Sequence, residues 1–412
     1  MTKERAILVG LQLGPDRPDL DELAELAETA GAEVVARVIQ KKERPDPAYF
    51  IGEGKAGEIR AMVEEAGADL VIFDDELTPV QGRNLEKALG VKTIDRTGLI
   101  LDIFARRART KEARLQVELA QLSYLLPRLT GRGPALSRLG GGIGTRGPGE
   151  TELEVDRRRI RRRMVDLRRT LEEVRAQRAL MRRPRSRAGV ATVALVGYTN
   201  AGKSTLFNTL TAGGAFVEDK LFATLDPTLR RLPLPGKVKA VLADTVGFVR
   251  KLPHQLVAAF RATLEEVVEA DLLLHVLDAA APDVLERAAA VHSVLVELGV
   301  GDRPTIPVLN KIDLLEPAPL AALLRLFPGA AAVSALHGRG LAELKERIAA
   351  HFAARRRLCR LFVPFSDLGV LARLHEEGVV KSEEPRPDGV EVTAELEPAV
   401  AEGFRRYWCA RP

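Results

Sequence analysis

The first hundred residues alternate between two hydrophobic periods. Strand-like apolar runs occur at RAILVGLQL, AEVVARVIQ and ADLVIFDDEL. Between these runs, apolar positions recur every three or four residues, as in amphipathic helices, at LDELAELAETAG and GKAGEIRAMVEEAG. The alternation predicts a small α/β unit with a parallel or mixed sheet over residues 1–105. The glycines of GEGKAG lack the spacing of a phosphate-binding loop and predict a helix start instead.

A second pattern begins near Thr110, where apolar residues recur at spacings of four and three. One stripe comprises Leu115, Leu119, Leu122 and Leu126, and the other comprises Ile160, Met164, Leu167, Leu171 and Val174. Each stripe is the apolar seam of an otherwise charged helix, so together they predict a long antiparallel helical hairpin over residues 106–188. The second helix, if continuous to Met181, would be on the order of 45 Å long.

A glycine-rich segment, residues 131–149, joins the two predicted helices. It includes RLGGGIGTRGPG and has few side chains with which to build a core. We expect it to form the tip of the hairpin and to stay mobile until a partner orders it. A passive linker is the alternative, but linkers favour serine over arginine and connect domains.

The rest of the chain predicts two more units. A second α/β unit, residues 189–354, begins at ATVALVGYTNAGKSTLFNTLTA, where a strand, a glycine-rich turn and a helix predict a Ras-like fold with a phosphate loop (P-loop). After Arg355, a short apolar strand, a helix and a hairpin at PRPDGVEV predict a small α+β appendage, residues 355–412. The expected fold class is therefore multidomain α/β.

Basic residues are concentrated in one segment. The 412-residue chain has a formal net charge of +5, but Ala105 to Arg187 holds 23 Arg/Lys against 9 Asp/Glu. That segment therefore carries +14 and the remainder −9. A localised surplus of this kind indicates a polyanionic partner, nucleic acid before membrane, although a solvated helical face is the commoner origin of charge runs.

Other features of the composition narrow the class of protein. No apolar run approaches the roughly 18 residues of a membrane span, and the N-terminal segment lacks the apolar core of a secretory signal. The two cysteines, Cys359 and Cys409, are expected to be reduced thiols. We expect a cytoplasmic monomer, with association to a membrane surface left open.

The candidate chemistry begins with one motif, GYTNAGKS, between an apolar strand and a helix. It fits the pattern G-x-x-x-x-G-K-[ST], in which backbone N–H groups approach phosphate oxygens. Lys203 would supply a positive charge to the β- and γ-phosphates, and the Ser204 hydroxyl would bind Mg²⁺. The candidate residues are Gly197, Tyr198, Thr199, Asn200, Ala201, Gly202, Lys203 and Ser204.

Three further motifs follow at strand ends, in the order that a GTPase requires. They comprise Asp244, Thr245, Val246 and Gly247; Asn310, Lys311, Ile312 and Asp313; and Ser334, Ala335 and Leu336. Asp244 would lie near Mg²⁺, and the Gly247 N–H would reach the γ-phosphate. Asp313 can accept hydrogen bonds from guanine N1–H and the exocyclic amine, a pair of donors that adenine lacks. The last motif would complete the base pocket through backbone contacts.

Hydrolysis requires a threonine within DKLFATLDPT that completes the Mg²⁺ shell. Thr224 and Thr228 compete for this role, and we favour Thr224. Phe248 replaces the water-orienting glutamine of Ras-like switches, so either a partner supplies the missing groups or water is positioned otherwise. Asn200 resembles an asparagine with which some GTPases hold potassium, but it could equally hydrogen-bond within its loop. The candidate catalytic residues are Lys203, Thr224, Gly247 and Asn200.

Taken together, these motifs resemble those of the HflX family of ribosome-associated GTPases. The resemblance lies in RLGGGIGTRGPGETELEVDRRRIRRR, FATLDPTLR, DTVGFVRKLPHQLVAAFRATLEE and VLNKIDLL, and it covers nearly the whole chain, least of all the tail after Arg355. It implies hydrolysis of GTP to GDP and phosphate, with Mg²⁺ bound by Ser204 and Thr224. It also implies further nucleotide contacts from Phe222, Ala223, Thr224, Leu225 and Asp226.

The resemblance further implies a partner, the large ribosomal subunit with its rRNA and proteins. In this family the hairpin reaches toward the peptidyl-transferase centre, and some GTP-bound members split stalled ribosomes. We therefore expect the GTP state to gate ribosome affinity, and we do not expect DNA as a partner. An ATP-linked role associated with the N-terminal unit of some members is not expected, because this sequence has no phosphate loop there.

Two other classes of function were weighed against this one. A signalling-type GTPase would use the hairpin as a coiled coil that binds a protein, and its arginines would form only a solvated face. An RNA-modifying enzyme would use GTP to gate its chemistry, but the sequence contains no recognisable modifying site.

Overall fold

The computed structural model describes residues 3–14, 20–129, 148–187, 189–211, 221–222, 224, 226, 228–236, 238–251 and 264–409. Contacts divide the chain into two compact units. The first comprises Met1–Val174, Glu218–Asp226 and Arg250–Thr263, and the second comprises Arg175–Val217, Pro227–Val249 and Leu264–Pro412. The multidomain α/β class is confirmed, while the division into four domains at residues 105, 188 and 354 stays a prediction.

The first unit contains a four-stranded parallel sheet in the order β2-β1-β3-β4. Its strands are β1 (Arg5–Gln12), β2 (Glu33–Lys41), β3 (Leu70–Phe73) and β4 (Lys92–Asp95). Its helices are α1 (Asp21–Thr29), α2 (Glu53–Ala66), α3 (Pro79–Leu89) and α4 (Arg96–Arg107). Ile7, Val71 and Phe73 are fully buried in its core. Gly52 is the N-cap of α2, which confirms the helix start predicted at GEGKAG.

Two long helices follow, α5 (Lys111–Arg128) and α6 (Pro148–Arg187). At 40 residues, α6 is about 60 Å long, so it continues past Met181 and exceeds the expected length. Met164, Leu167 and Leu171 are buried, which confirms the second seam. Arg163 of α6 donates two hydrogen bonds to Glu118 of α5, at 2.7 and 2.9 Å, so the helices lie side by side there. The predicted tip loop lies outside the described residues except for positions 148–149, which begin α6.

The seam predicted for α5 accounts for only part of its buried surface. Its four leucines are partly buried at most, whereas Ala113, Val117 and Ala120 are almost completely buried. The reason is that α5 also packs against α3 and α4, and small side chains permit close approach there. The single-stripe prediction was incomplete because it assumed one neighbouring helix.

The second unit contains a six-stranded sheet in the order β10-β9-β8-β5-β7-β6. Its strands are β5 (Ala191–Gly197), β6 (Thr228–Pro233), β7 (Lys239–Asp244), β8 (Leu272–Asp278), β9 (Thr305–Asn310) and β10 (Ala331–Ala332), and only β6 is antiparallel to its neighbour. Its helices are α7 (Lys203–Leu210), α8 (Glu265–Val268), α9 (Val284–Glu297), α10 (Pro317–Leu326) and α11 (Leu341–Ala353). The parallel strands place the predicted motifs at their carboxyl ends, where open α/β sheets bind ligands.

The same unit ends in a small α+β region, as predicted. It contains the antiparallel strands β11 (Arg357–Pro364), β12 (Val379–Arg386) and β13 (Gly389–Leu396) in the order β11-β13-β12, with helices α12 (Gly369–Glu377) and α13 (Pro398–Gly403). Cys359 and Cys409 are both free thiols, which confirms the expectation. Over the part of the chain that the structure describes, no helix is both long and apolar enough to cross a membrane.

Candidate nucleotide site

The phosphate-binding motif forms a tight turn between β5 and α7. Gly197 ends β5 with a φ of 156°, and a Cβ there would lie 2.3 Å from the Val276 carbonyl oxygen. Asn200 and Gly202 adopt left-handed conformations, with φ of 59° and 89°. A Cβ at Gly202 would lie 2.2 Å from the Asn310 amide nitrogen, so the position requires glycine. The turn leads into the N-terminus of α7, where backbone N–H groups favour an anion.

Lys203, the first residue of α7, is buried against this turn. Its Nζ donates hydrogen bonds to the carbonyl oxygens of Gly197 at 3.1 Å and Tyr198 at 2.7 Å. Burial lowers the pKa of Lys203 to about 8, against the opposing influence of Asp244. A phosphate in the turn would supply negative charge beside the ammonium and would raise this pKa again. The side chain therefore fits the predicted role of phosphate ligand.

Ser204 and Asp244 form the part of the predicted Mg²⁺ site that lies in the second unit. The Ser204 hydroxyl donates a hydrogen bond to Asp244 Oδ2 at 2.8 Å, and Asp244 is almost fully buried. Hydroxyl and carboxylate oxygens are the hard donors that Mg²⁺ prefers beside waters and phosphates. These residues fit the ion: Ser204 would be a ligand, and Asp244 would orient it. The second predicted ligand, Thr224, belongs to the first unit, and its role stays a prediction.

The Asp244–Gly247 motif is fixed to the P-loop by backbone pairing. Thr199 N–H donates to the Phe248 carbonyl oxygen at 2.7 Å, and Phe248 N–H donates to the Gly197 carbonyl oxygen at 3.1 Å. A Cβ at Gly247 would lie 2.8 Å from Thr199 Cγ2 and 2.9 Å from Lys203 Nζ, so only glycine fits there.

The same pairing gives Phe248 a structural role. Its side chain is 1% exposed, so the residue is part of the core rather than of a water site. The sequence pattern marks this position only as a missing glutamine and does not indicate the structural role. Thr245 also acts structurally, because its hydroxyl donates to the Leu195 carbonyl oxygen at 2.5 Å.

Asn310 joins the P-loop to the segment predicted to hold the base. Its Nδ2 donates to the Ala201 carbonyl oxygen at 2.9 Å, and its Oδ1 accepts from Ala335 N–H at 3.0 Å. Because both ends of the buried amide bond to protein, this side chain organises the site. Its predicted contact with the nucleotide stays a prediction.

Asp313 has the ionisation state that guanine recognition requires. A hydrogen bond from the Ser334 side chain is the main cause that lowers the pKa of Asp313, so the carboxylate is an acceptor at neutral pH. Ser334 is fully buried and exchanges backbone hydrogen bonds with Arg339 at 3.1 and 3.2 Å. The exposed Leu336 side chain agrees with a role for this segment through its backbone.

The remaining predicted nucleotide contacts, around Thr224, belong to the first unit. The Phe222 ring packs edge-to-face on Phe104, with centroids 4.6 Å apart. The Asp226 carboxylate accepts hydrogen bonds from Arg109 N–H, Thr110 N–H and the Thr110 hydroxyl. Ala223 and Leu225 lie outside the described residues. No local motif signals the contacts of Phe222 and Asp226, so the sequence analysis missed them.

Three features lie at strand ends of one sheet: the P-loop, the Asp244 carboxylate beside Ser204, and the Asp313 carboxylate that suits guanine. Together they define a P-loop GTPase. Three family models agree: GTP-binding GTPase N-terminal matches residues 17–105, GTP-binding GTPase Middle Region matches 107–185, and 50S ribosome-binding GTPase matches 192–311.

Curated relatives identify the family. GTPase HflX of Caldanaerobacter subterraneus subsp. tengcongensis is 52% identical over 98% of this chain and 94% of its own length. GTPase HflX of Escherichia coli is 53% identical over 76% of this chain and 74% of its own length. A GTP-binding protein from Sulfolobus solfataricus, solved with GDP, is 27% identical with a TM-score of 0.44, over 85% of this chain and 98% of that one. The chain belongs to the HflX family, and it binds and hydrolyses GTP.

Proposed function

We propose that this GTPase binds the large ribosomal subunit near the peptidyl-transferase centre and dissociates stalled or idle ribosomes, with the GTP state gating its affinity. Two observations support the proposal. The family model over residues 192–311 is described as a 50S ribosome-binding GTPase. Helix α6 also carries several exposed arginines, which are the observation in this chain that favours an RNA partner.

Three arginines of α6 lie on the side opposite its buried seam. At 100° per residue, Arg158, Arg162 and Arg169 lie about 160–200° around the helix from Ile160, which is at the centre of the seam. All three are exposed. Guanidinium groups arranged in this way can contact successive backbone phosphates without reading sequence, which suits a structured RNA.

The same geometry argues against a signalling GTPase whose hairpin binds a protein as a coiled coil. A coiled-coil partner would need the apolar seam, but Met164, Leu167 and Leu171 are already buried within this chain. The outward side of the described helix then offers mainly charge.

The arginine surface is tested by charge removal. The variant Arg158→Gln/Arg162→Gln/Arg169→Gln should bind isolated large subunits more weakly, and the slope of log K against log salt should fall by up to about 3. The matched control Arg60→Gln/Arg325→Gln/Arg405→Gln removes equal charge from exposed sites on other elements and should bind like the wild type. Equal binding by both triple variants would mean that the arginines of α6 form only a solvated face, and it would favour the protein-partner alternative.

Splitting itself is tested at the predicted tip. Deletion of residues 139–147 should abolish GTP-dependent dissociation of 70S particles, measured by light scattering, while GDP affinity stays at the wild-type value. Intact splitting by the deletion variant would contradict the role of the tip.

Potassium is a further part of the proposal. Asn200 is exposed and held in a left-handed conformation at the edge of the P-loop, where its amide oxygen could face a monovalent cation. Turnover should then be faster in potassium than in sodium, and Asn200→Ala should remove the difference. Equal turnover in the two salts would leave Asn200 as a turn residue.

A further inference from the structure

The segment that carries Thr224 is attached to the start of helix α5. Asp226 Oδ2 accepts hydrogen bonds from Arg109 N–H at 3.0 Å and Thr110 N–H at 3.1 Å, and Asp226 Oδ1 accepts from the Thr110 hydroxyl at 2.5 Å. Thr110 is the N-cap of α5, and its Oγ1 also accepts from Ala113 N–H at 3.1 Å. The carboxylate therefore lies at the positive end of an 18-residue helix, where negative charge is stabilised.

A second contact holds the other side of Thr224. Phe222 is 2% exposed, has a φ of 54° and packs its ring against Phe104, near the end of α4. A phenylalanine rarely adopts this backbone conformation unless tertiary contacts impose it. Thr224 is thus bracketed, two residues to each side, by anchors on α4 and α5.

The segment that follows Gly247 is attached to the same unit. The Arg250 carbonyl oxygen accepts from Arg96 Nε at 3.1 Å, and Lys251 Nζ contacts Asp74 at 2.9 Å and Asp75 at 2.5 Å. Arg96 is itself buried and bonded to Asp74 at 2.7 Å and to Glu22. Both segments expected to respond to the γ-phosphate therefore make contacts in the first unit, which also contains α5.

We propose that Asp226 is a positioning residue that couples the start of α5 to Thr224, so that events on the helical hairpin reach the Mg²⁺ ligand through the Asp226–Thr110 link. The inference rests on the proposed function, which supplies the hairpin's partner, and on the predicted role of Thr224. With GTP and Mg²⁺ bound, Thr224 in its predicted role would contact the metal, and Asp226 would transmit a change in the position of Thr224 to the start of α5. By reciprocity, a partner that fixes α5 favours one position of Thr224.

The first test needs no ribosome. Hydrogen exchange of the peptide spanning residues 108–114 is measured with GDP and with a non-hydrolysable GTP analogue. The link predicts that protection of the Arg109 and Thr110 amides changes by about tenfold between the two nucleotides, the size of one charge-assisted hydrogen bond. Equal protection in both nucleotide states would overturn the inference, whatever the ribosome does.

Variants then separate coupling from packing. Thr110→Val removes the hydroxyl that bonds Asp226, and Thr110→Ser retains it. Thr78→Val is the matched control, because Thr78 caps α3 in the same unit through its own hydroxyl. Thr110→Val should reduce the nucleotide-dependent difference in exchange, because the hydroxyl bond to Asp226 Oδ1 is lost while the two backbone bonds to Oδ2 remain. Thr110→Ser and Thr78→Val should retain the full difference. A difference in Thr110→Val as large as that of the wild type would overturn the proposal.

A kinetic measurement connects the link to the partner. Thr110→Val should lower the stimulation of GTP turnover by large subunits, measured as the ratio of kcat with subunits to kcat without them, by about tenfold. The wild type could show the exchange difference while large subunits fail to stimulate its GTP turnover. In that case the proposed partner is wrong and the Asp226–Thr110 link stands. If subunits stimulate wild type and Thr110→Val equally, the coupling is wrong and the proposed function stands.

Discussion

The residues predicted to bind nucleotide fall into two regions that are held in different ways. In the second unit, Gly202, Lys203 and Asn310 are held by other members of the same motifs, through contacts that span a few ångströms. In the first unit, Phe222 and Asp226 are held by α4 and α5, which contain no nucleotide motif. The comparison teaches that the predicted phosphate and base site is organised by its own residues, whereas the segments predicted to sense GTP are organised by the N-terminal half of the chain.

The largest effect should be a loss of thermal stability from a change in the core of the second unit, beside the P-loop. Phe248→Ala removes a ring that is buried against the P-loop pairing and should lower the thermal unfolding midpoint of the second unit by about 10 °C, measured by calorimetry. Phe365→Ala, at a position 51% exposed, is the control and should shift the midpoint by about 2 °C at most. A small shift of the unfolding midpoint for Phe248→Ala would contradict the structural role of this side chain in the core.

The next effect is a loss of stability in the first unit, which holds the segments around Thr224 and Arg250. Arg96→Met removes the guanidinium that pairs with the buried Asp74 and the partly buried Glu22, and it should destabilise that unit by about 3 kcal/mol. Arg37→Met breaks the exposed pair with Asp21 and should cost less than about 1 kcal/mol. Chemical denaturation followed by hydrogen exchange in β3 measures both costs, and equal costs would contradict the account of the buried cluster.

A third change separates backbone geometry from space within the P-loop. Gly202→Ala should weaken GDP binding by about 100-fold for two reasons. The new Cβ would clash with the Asn310 amide, and alanine is disfavoured at the positive φ of this position. Gly236→Ala carries a similar φ of 71° with open space around its Cβ, so it should bind GDP normally. Comparable losses of affinity in the two variants would show that strain alone matters.

The smallest effect is a pH dependence set by Lys203. Because burial lowers the pKa of Lys203 to about 8 and a bound phosphate raises it, binding above pH 8 takes up a proton, and GDP affinity should fall by about tenfold per pH unit there. Calorimetry at pH 8.5 in two buffers of different ionisation enthalpy counts that proton. Lys203→Arg stays charged and isolates the titration of guanine itself, and proton uptake equal to that of the wild type would contradict the assignment.

The sequence could predict the P-loop turn and the motifs at the strand ends because their constraints are local. Gly202 and Lys203 are specified by a turn of fixed length, and Asp313 follows from its place at a strand end. The alternation of strands and helices and the seam of α6 were predictable for the same reason, since each depends on residues a few positions apart.

The contacts of the segments predicted to sense GTP could not be predicted in this way. Asp226 and Thr110 are 116 positions apart, and nothing in either local sequence identifies the other. The burial of Ala113 and Ala120 on α5 likewise depends on α3 and α4, which the leucine stripe does not report. Phe248 shows a third limit, because comparison with a Ras-like glutamine suggested a catalytic question where the structure gives a packing role.

The most direct test of the proposed function is the rate of GTP hydrolysis by the purified protein, alone and with isolated large subunits. The account predicts strong stimulation by the subunit for the wild type and little for Arg158→Gln/Arg162→Gln/Arg169→Gln at the same subunit concentration. No stimulation of the wild type, in potassium or in sodium, would contradict the large subunit as partner and leave a GTPase whose arginine surface is only solvated.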